Sequence, residues 1–375
     1  TSHFNFNCCR FIVNFWKLFR HLQRVNMHSS FYKPAANYSI YSIGAGGIVK
    51  DAHLPAYKLA GYTVKGIYDI DKSKAAQLAS LFDIPCNYES IDQMVQDAND
   101  TSIFDIAVPA SSIIEVLQKL PNGAAVLIQK PMGSDIAEAK EIINLVQSKK
   151  LLAAVNFQLR YAPFIEAAKT IITEKNFGTI TDIEINVNVH TPWELWTFLQ
   201  TAPRVEILYH SVHYIDLIRS FLGNPNAVYA KTIKHPVHTN LASVKSNIIM
   251  DYGDFIGANI RTNHCHNYGQ QHQDASIKIE GTNGAIKINM GLLQNYPAGV
   301  PDRFEFIIKE NGAAASWETL AINGSWFPHA FVGSMSEIMK TLDGVTSEPD
   351  NSVQDVLSTM ACVEAAYKSS AAGGQ

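Results

Sequence analysis

A glycine-rich turn constrains the fold of this chain more than any other feature. The run Tyr38–Ile43 is β-branched and aromatic, the tetrapeptide Gly-Ala-Gly-Gly follows it, and an apolar-periodic segment begins at Ile48. This pattern predicts a strand, a tight turn and the start of a helix. In such a unit Gly44 makes the turn and Gly46 lets an anion approach the backbone. The N–H groups of Gly47 and Ile48 then open the helix towards that anion, so the turn is predicted to hold a pyrophosphate.

An acidic residue at the end of the next predicted strand strengthens this interpretation. Asp69 lies 25 positions after Gly44, near the offset of about 20 residues expected for a carboxylate that binds the adenosine ribose. The full G-x-G-x-x-G pattern is incomplete, because its sixth position is Val49. A glycine-rich turn without a ligand is therefore the alternative, but the context favours a dinucleotide site.

The chain changes texture after residue 160. Between residues 38 and 156 predicted strands alternate with predicted helices, a pattern typical of a parallel sheet with ligands at the carboxyl ends of its strands. Long alternating runs follow and predict an open, mostly antiparallel sheet, with a hairpin turn at Asn283-Gly284. The predicted elements include strands at Asp105–Val108 and Asp254–Arg261, a helix from Asp135 capped by Ser134, and helices at Ser211–Leu222, Ala330–Leu342 and Ser352–Lys368.

Composition excludes several classes of function. The 375-residue chain is 47% hydrophobic and 17% charged, with a formal net charge of −4, which describes an ordinary globular protein and argues against a nucleic-acid partner. Five scattered cysteines without a C-x-x-C pair indicate reduced thiols in a cytoplasmic protein. No apolar run approaches the about 20 residues of a membrane span, so no membrane partner is predicted.

The first 26 residues match no strand–helix pattern. We interpret residues 1–26 as an upstream extension, with a native start at Met27, and residues 1–36 as lying outside the core. The alternative is an amphipathic helix that docks on a membrane or a partner. Its apolar face would consist of Phe11, Phe15, Leu18, Phe19 and Leu22.

Two stretches at predicted strand ends carry candidate site residues in the first half. Val108, Pro109 and Ser112 follow a predicted parallel strand and are expected beside the middle of the cofactor. Lys130 ends the buried run AAVLIQ and precedes a proline. A lysine there can bind the cofactor, donate to a substrate hydroxyl and lower the pKa of that hydroxyl, although a surface lysine at a strand end is an equal alternative.

The second half offers a histidine-rich helix. Tyr209, His213 and Asp216 would share one face of it, and a histidine can accept a proton from an alcohol as hydride leaves. A structural histidine is the alternative. Arg160 can clamp an anionic group or tie two domains together, and Trp193 can form a platform for a sugar or pack in the core.

No metal site is predicted. Zinc needs three or four ligands, and the spacing does not tie His264 or His266 to the helix that carries His213.

Taken in order, these stretches resemble the glucose–fructose oxidoreductase and inositol dehydrogenase family (Gfo/Idh/MocA) over residues 38–370. The motifs that carry the resemblance are IGAGGIVKDAHLPA, YDID, VPASS, QKPMG, NFQLRYAP, HYIDLIRSFLG and AAYKSS. The resemblance implies a Rossmann domain followed by an α+β domain with a large open sheet, which commonly makes the oligomer contact. It also implies a nicotinamide cofactor and a sugar, polyol or related substrate. Expected bounds are 37–157 for the Rossmann domain, 158–350 for the substrate and oligomerisation domain, and 351–375 for a C-terminal helix that packs back on the core.

The resemblance also assigns roles to residues. Lys130 corresponds to the family's Glu-Lys-Pro lysine and His213 to its catalytic histidine. Two positions depart from the family pattern: Gln129 replaces the glutamate, and Tyr209 stands where an aspartate often precedes the histidine. His210 is then a candidate substitute partner within the substrate site.

These features predict an NAD(P)-dependent oxidoreductase that transfers hydride at a hydroxyl or carbonyl group, acting as a homodimer or homotetramer through the open sheet. NAD is expected rather than NADP, because Asp69 and Asp71 would repel a 2′-phosphate. An alternative is a ligand-sensing regulatory protein that keeps the NAD site and has lost most catalysis.

Overall fold

The computed structural model describes residues 31–296, 298–309 and 315–373. The predictions for residues 1–26 lie outside these ranges. Residues 32–36 were expected outside the core, but they lie against it: the Tyr32 hydroxyl and the Ala35 N–H donate to the Asp343 carboxylate over 2.6 and 2.8 Å.

The first half forms a parallel sheet whose strands run in the order β3-β2-β1-β4-β5-β6. Its buried strands are rich in isoleucine, valine and phenylalanine, as expected where helices cover both faces. The strands are β1 Ser39–Ile43, β2 Thr63–Tyr68, β3 Cys86–Asn87, β4 Ser102–Ile106, β5 Ala125–Gln129 and β6 Leu152–Asn156. The helices are α1 Leu54–Ala60, preceded by a π-helical turn at Val49–His53, α2 Lys72–Leu81, α3 Ile91–Asp97, α4 Ile113–Lys119 and α5 Ile136–Ser148.

The second half forms a larger sheet in the order β14-β13-β12-β11-β7-β10-β9-β8. Only the β7–β10 pair among these described strands is parallel. Alternate residues are buried and exposed, so one face packs on the core and the other faces outwards. The strands are β7 Ile180–Asn188, β8 Ala227–Ile233, β9 Lys245–Asp251, β10 Gly257–Asn263, β11 Asp274–Gly281, β12 Gly284–Asn289, β13 Arg303–Ile308 and β14 Glu318–Leu320.

Four helices join the two sheets into one core. They are α6 Pro163–Glu174, α7 Val212–Leu222, α8 His329–Leu342 and α9 Val353–Ala371. Helix α8 packs against β5, β6 and α1, and α9 packs against α5, α7 and β8. The N terminus of α7 therefore lies where the helices of both halves meet. In the described ranges no helix combines the length and the apolar character needed to cross a bilayer.

The predicted fold class is confirmed, while several element bounds differ. Strand β4 starts at Ser102 rather than Asp105, and Asp105 is a buried strand residue bonded to His53 and Tyr57 over 2.8 and 2.9 Å. Strand β10 starts at Gly257 rather than Asp254, since the chain turns at Gly253 with φ of 84°.

The cap of α5 also differs from the prediction. Asp135, not Ser134, caps α5, because its carboxylate accepts from the N–H groups of Ala137 and Glu138 over 2.8 and 2.9 Å. Strand β14 was not predicted, because its three residues are too short for a periodic signal.

Candidate active site

The glycine turn after β1 forms an open cradle at the carboxyl edge of the parallel sheet. Gly44 has φ of +114°, and a Cβ atom on it would lie 2.3 Å from the carbonyl oxygen of Ala107. A Cβ on Gly46 or Gly47 would meet nothing within 4 Å among the described atoms. Gly44 is thus required by the fold, while the other two glycines leave bare backbone facing open space at a helix start. Such a cradle fits a diphosphate.

Asp69 lies beside this cradle at the end of β2. Its carboxylate accepts from the N–H groups of Ala45 and Asp71 over 2.6 and 2.8 Å. Each carboxylate oxygen has a second lone pair, so the group can hold the loop and still accept from ribose hydroxyls.

Lys72, the cation nearest to Asp69 in sequence, contacts other side chains. The Nζ atom of Lys72 lies 4.4 Å from the centre of the Tyr68 ring and 3.7 Å from the Glu89 carboxylate. Asp71 caps α2, and its hydrogen bond from Ser73 lowers the pKa of its carboxyl group. The ribose end of the cradle therefore carries two carboxylates and a cation already engaged by other partners.

Val108 and Pro109 lie next to the cradle on the neighbouring strand end. The Ala107 N–H donates to the carbonyl of Ile43 over 2.8 Å, which holds the end of β4 against the end of β1. Ser112 closes a short 3-10 turn through its N–H, which donates to the Pro109 carbonyl over 2.9 Å. The predicted set of cofactor residues thus converges on one edge of the sheet.

Lys130 carries an ammonium group into the interior from the end of β5. Its Nζ atom donates to the backbone carbonyl of Tyr209 over 2.8 Å. Burial lowers its pKa from 10.5 to about 8, because desolvation disfavours the charged form. Lys130 is therefore a half-buried ammonium group whose pKa is lowered to about 8.

His213 lies in the first turn of α7, within electrostatic reach of Lys130. Its ring meets Phe157 and Trp326 edge to face, with centroids 6.1 and 5.6 Å apart. Burial, and secondarily the charge of Lys130, lower its pKa well below 6.5. Its Nδ1 atom is buried and has no hydrogen-bond partner in the described part of the chain. His213 is thus a neutral imidazole with an unused ring nitrogen at neutral pH.

A second imidazole pair lines the same region. The rings of His210 and His264 lie 4.5 Å apart, and Trp193 packs edge-on against both at 5.2 and 5.6 Å. Burial, then the charges of His264, Lys130 and His213, lower the pKa of His210 well below 6.5. Lys130 reaches this region through its hydrogen bond to the Tyr209 carbonyl, so the lysine lies beside the turn that carries His210 and precedes His213.

Glu206 is a buried carboxylate next to His264. Its Oε1 atom lies 3.5 Å from His264 Nε2 and accepts from the Ser211 hydroxyl over 2.7 Å. Burial raises the pKa of the Glu206 carboxyl, but the nearby His264 imidazole, with the hydroxyls of Ser246 and Ser211, outweighs burial and lowers the pKa overall.

Sequence reasoning did not select Glu206, His264 or Trp326 for the site. A signal for Glu206 was present, since a carboxylate inside the apolar run of residues 205–208 needs a buried partner. His264 follows β10 and Trp326 precedes α8, and no local pattern links either residue to α7.

Tyr209 contacts Lys130 through its backbone rather than its side chain. Residues Ile207–Ser211 form a π-helical turn, so Tyr209 lies before the regular α-helix that carries His213 and Asp216. The Tyr209 ring packs on Phe198 at 5.6 Å, and burial raises the pKa of its hydroxyl.

Arg160 does not face this site. Its guanidinium donates twice to Asp216 and once to Asp355, each over 2.6 Å, and once to the Asp350 carbonyl over 2.9 Å. Of the two roles considered for Arg160, this arrangement favours the tie between domains, because its donors are occupied by the protein.

Several buried polar atoms near Lys130 lack a hydrogen-bond partner among the described residues. They are Gln129 Oε1, Trp193 Nε1, His210 Nδ1, His213 Nδ1 and Trp326 Nε1. Buried polar groups are rarely left unpaired in a native protein. A ligand rich in hydroxyl groups would satisfy both the donors and the acceptors of this set.

Comparison with known proteins identifies family matches in both halves of the chain. Residues 39–157 match the model of an oxidoreductase family with an NAD-binding Rossmann fold, and residues 165–287 match the Gfo/Idh/MocA C-terminal domain. An uncharacterized protein of Saccharomyces cerevisiae is 23% identical over 66% of this chain and 73% of its own length. Glucose-6-phosphate 3-dehydrogenase of Bacillus subtilis is 29% identical, and the match spans 38% of this chain and only 40% of that enzyme.

The fold is also found among solved structures. An oxidoreductase from Agrobacterium radiobacter, in complex with NAD+, L-tartaric acid and magnesium, superposes with a TM-score of 0.74 at 20% identity. The superposition covers 90% of this chain and 97% of that one. Because the two family models together match more than half of the sequence, the chain belongs to the Gfo/Idh/MocA family of NAD(P)-binding oxidoreductases.

Proposed function

We propose that this chain is an NAD-dependent dehydrogenase or reductase that acts on a hydroxyl or carbonyl carbon of a sugar, polyol or related small molecule. The observation that carries the proposal is the hydrogen bond from Lys130, at the carboxyl end of β5, to the carbonyl of Tyr209, four residues before His213. His213 is buried and Lys130 is half-buried, and burial, followed by the charge of the lysine, lowers the pKa of the histidine. An ammonium and a neutral imidazole suit proton transfer to and from an alcohol.

The dinucleotide would lie on the glycine turn, with Gly44, Gly46 and Gly47 at the diphosphate, Asp69 at the ribose, and Val108 and Pro109 beside the middle of the cofactor. When bound, the nicotinamide supplies the group that accepts or donates hydride. Every other part of the reaction falls to the chain itself, which must orient the substrate, exclude water and manage one proton.

Lys130 is proposed to bind the reacting oxygen. An ammonium that donates to this oxygen stabilises the negative charge that develops on it as the O–H bond breaks. The Tyr209 carbonyl holds the ammonium in place from the other side. A dehydrated lysine with a pKa of about 8 remains largely protonated at neutral pH, as this role requires.

His213 is proposed to accept the alcohol proton in oxidation and to return it in reduction. Its lowered pKa keeps the imidazole neutral at pH 7. A neutral ring with an unused Nδ1 atom has a lone pair available, or an N–H in the other tautomer. Phe157 and Trp326 enclose the ring and limit the access of water to it.

The class of substrate follows from the walls of the site. Trp193 and Trp326 pack edge to face against His210 and His213, and the unpaired ring nitrogens and amide oxygen offer several hydrogen bonds. This mixture suits a compound with apolar C–H faces and several hydroxyl groups. The relation to glucose-6-phosphate 3-dehydrogenase supports the same class.

NAD is proposed over NADP on electrostatic grounds. A 2′-phosphate at the end of β2 would face Asp69 and Asp71, while the ammonium of Lys72 is engaged by Tyr68 and Glu89. A lower Michaelis constant with NADPH than with NADH would contradict this assignment.

A homo-oligomer formed through the outer face of the larger sheet is proposed as the assembly. Tyr229 and Ile249 are paired across β8 and β9, and both are more than half exposed, at 55% and 53%. Adjacent apolar side chains on an open sheet favour contact with a second copy. A cytoplasmic location is also proposed, supported by the free thiols of Cys86, Cys265 and Cys362.

A spectrophotometric assay tests the proposal. A panel of sugars, polyols and sugar acids is screened with NAD+ for the appearance of NADH absorbance, and the corresponding carbonyl compounds with NADH for its loss. We expect turnover of at least one compound. In Lys130→Met and in His213→Asn, kcat for that compound should fall by at least about 100-fold.

The matched control is Lys119→Met, which removes a surface lysine paired with Glu115. NADH binding, followed by tryptophan fluorescence, is expected to survive in all three variants. Tight NADH binding with no turnover on the whole panel would contradict the enzyme and favour a ligand sensor.

A further inference from the structure

A cluster of two histidines and one cysteine lies outside the residues proposed for catalysis. His235, His238 and Cys265 each offer one ligand atom, and these atoms lie within 4.8 Å of one another. Among the described residues, this is the group of histidine, cysteine and acidic side chains whose ligand atoms lie close enough together to hold a metal ion. We propose that these three residues bind a Zn2+ ion.

The cluster is built by the loop between β8 and β9. This loop turns back on itself twice, since the His238 N–H donates to the His235 carbonyl over 3.0 Å and the Leu241 N–H donates to the His238 carbonyl over 3.2 Å. The two imidazoles leave the turn on the same side, with ring centroids 5.5 Å apart. Two histidines three positions apart are thus presented together by a short turn.

The third ligand comes from a different strand. The loop rejoins the sheet where the His264 N–H donates to the Val244 carbonyl over 3.1 Å. This bond places the end of β10, and Cys265 directly after it, beside the loop. The Cys265 N–H is held by the Asn263 side chain over 3.1 Å, so the position of the thiol is fixed by the sheet.

The chemistry of the ligands selects the metal. Two neutral imidazoles and one thiolate form a set that Zn2+ binds well, whereas Mg2+ and Ca2+ prefer oxygen ligands. Zn2+ holds nitrogen at about 2.0–2.1 Å and sulfur at about 2.3 Å. Three atoms at most 4.8 Å apart need to close by less than about 1 Å each to reach those distances.

Binding of the ion releases one proton. The thiol of Cys265 loses its proton to solvent as the Zn–S bond forms, and each imidazole contributes one lone pair. The His235 Nδ1 atom accepts a long hydrogen bond of 3.3 Å from the Val237 N–H, which the ion would replace or disturb at small cost. Three protein ligands leave a fourth position for water.

The site would fasten the loop to the wall behind the proposed substrate site. Leu241, Val244 and Cys265 belong to one buried cluster with Trp193. An ion held by His235, His238 and Cys265 would therefore restrict the loop on the far side of that tryptophan. This inference does not depend on the proposed function, because its measurements require no substrate.

Cobalt serves as the spectroscopic probe. The full chain is prepared with Cys8→Ser and Cys9→Ser, which removes the two neighbouring thiols near the N terminus, and is freed of metal by chelation. Titration with Co2+ is expected to give one equivalent of binding, with a thiolate-to-cobalt charge-transfer band and the strong visible bands of four-coordinate cobalt. Zn2+ should displace the cobalt and abolish both.

The variants isolate the three ligands. Cys265→Ser is expected to remove the charge-transfer band, and His235→Asn and His238→Asn to weaken Co2+ and Zn2+ binding by at least tenfold. Cys362→Ser, which removes another buried thiol, and His272→Asn, which removes an exposed imidazole, should bind as the parent does. NADH binding by each variant checks that it is folded.

Two results would overturn the proposal. One is the absence of a charge-transfer band in the parent chain at saturating Co2+. The other is a band that persists in Cys265→Ser or that responds equally to Cys362→Ser. If Cys265→Ser does not fold, unchanged binding in the two loop variants would be sufficient to reject the site.

Discussion

Lys130 is an unfavourable residue for folding and a useful one for chemistry. Its pKa falls from 10.5 to about 8 on burial, which corresponds to a cost of about 3 kcal/mol for keeping the side chain charged in the folded state. Such a cost is tolerated where a charged group serves a function. It also makes the residue's contribution to stability measurable.

Lys130→Met is expected to stabilise the protein at pH 7 by about 2 kcal/mol while abolishing turnover. The variant no longer has to keep a charge away from water, which removes the cost of about 3 kcal/mol. The lost hydrogen bond to the Tyr209 carbonyl offsets about 1 kcal/mol of this gain. Between about pH 8 and pH 10.5 the unfolded lysine keeps a proton that the folded one has lost, so the wild type gains stability with rising pH. The advantage of the variant should therefore shrink over this range in urea denaturation, and a variant less stable at pH 7 would contradict the assignment.

The same two residues predict the pH dependence of catalysis. His213 is already neutral at pH 6.5, because its pKa lies well below that value, so kcat/KM should be nearly flat from there to neutral pH. Above neutral pH it should fall with an apparent pKa of about 8, as Lys130 loses its proton. A profile that rises through pH 8 would remove the ammonium from the proposed mechanism.

Two glycines of the cradle should respond differently to the same substitution. Gly44→Ala places a Cβ 2.3 Å from the Ala107 oxygen at φ of +114°, so we expect a loss of stability of about 2 kcal/mol or more. Gly46→Ala meets nothing within 4 Å and should fold normally, but the added methyl group should weaken NADH binding at least tenfold by obstructing the diphosphate. Thermal unfolding and fluorescence titration measure the two effects, and normal NADH affinity in Gly46→Ala would place the diphosphate elsewhere.

At the level of single residues, the sequence predicted those candidates whose place in a strand or helix can be read from neighbouring residues. Lys130 and His213 could be selected because each stands at the end or start of a recognisable element. Glu206 and His264 could not be paired, because 58 positions separate them and only the register of β9 against β10 brings His264 to α7. The role of Arg160 also required the structure, since its partners Asp216 and Asp355 come from two helices distant in sequence.

Among the elements, the short 3-10 turn Gln158–Tyr161 is tied to α7 and α9 by Arg160. Asp216 is 1% exposed and Arg160 is 2% exposed, so the pair is shielded from solvent. Arg160→Met should cost about 3–5 kcal/mol, because it leaves a buried carboxylate without its cation. Arg160→Lys should rescue little, because lysine cannot make the two-pronged contact with Asp216.

Urea denaturation and NADH titration separate the two roles considered for Arg160. A tie between elements predicts lower stability with unchanged NADH affinity in the folded fraction. Normal stability together with a raised Michaelis constant for the substrate would instead make Arg160 a substrate ligand.

Helix α9 protects the open edge of the larger sheet. Strand β8 ends the order of that sheet, and the N–H groups of Ala230 and Thr232 donate to the Ser369 and Ser370 hydroxyls over 3.0 and 2.9 Å. Exposed strand edges invite pairing with other chains. Because α9 occupies this edge, pairing of β8 with a strand of another chain is blocked.

For the molecule as a whole, periodicity predicted both sheets and their order along the chain. It misplaced β4 because Asp105 looks like a strand end, whereas His53 and Tyr57 satisfy its carboxylate in the interior. It could not identify the parallel β7–β10 pair, because α7, β8 and β9 lie between these two strands in the sequence. Pairing between distant strands depends on packing rather than on local sequence.

The outer face of the larger sheet leads to the prediction for assembly. Ile249 lies opposite Tyr229 on β8 and Asn259 on β10, at the centre of an exposed region of three strands. Ile249→Lys places a charge there without touching the buried face, because alternate residues of β9 point to opposite sides. If two copies meet through this face, the burial of a lysine in the contact should shift the sedimentation coefficient towards that of a smaller species. Val345→Lys, at a residue 63% exposed and outside the sheet, should sediment as the parent does. An Ile249→Lys variant that sediments as the parent does, at equal concentration, would show that the outer face does not make the contact.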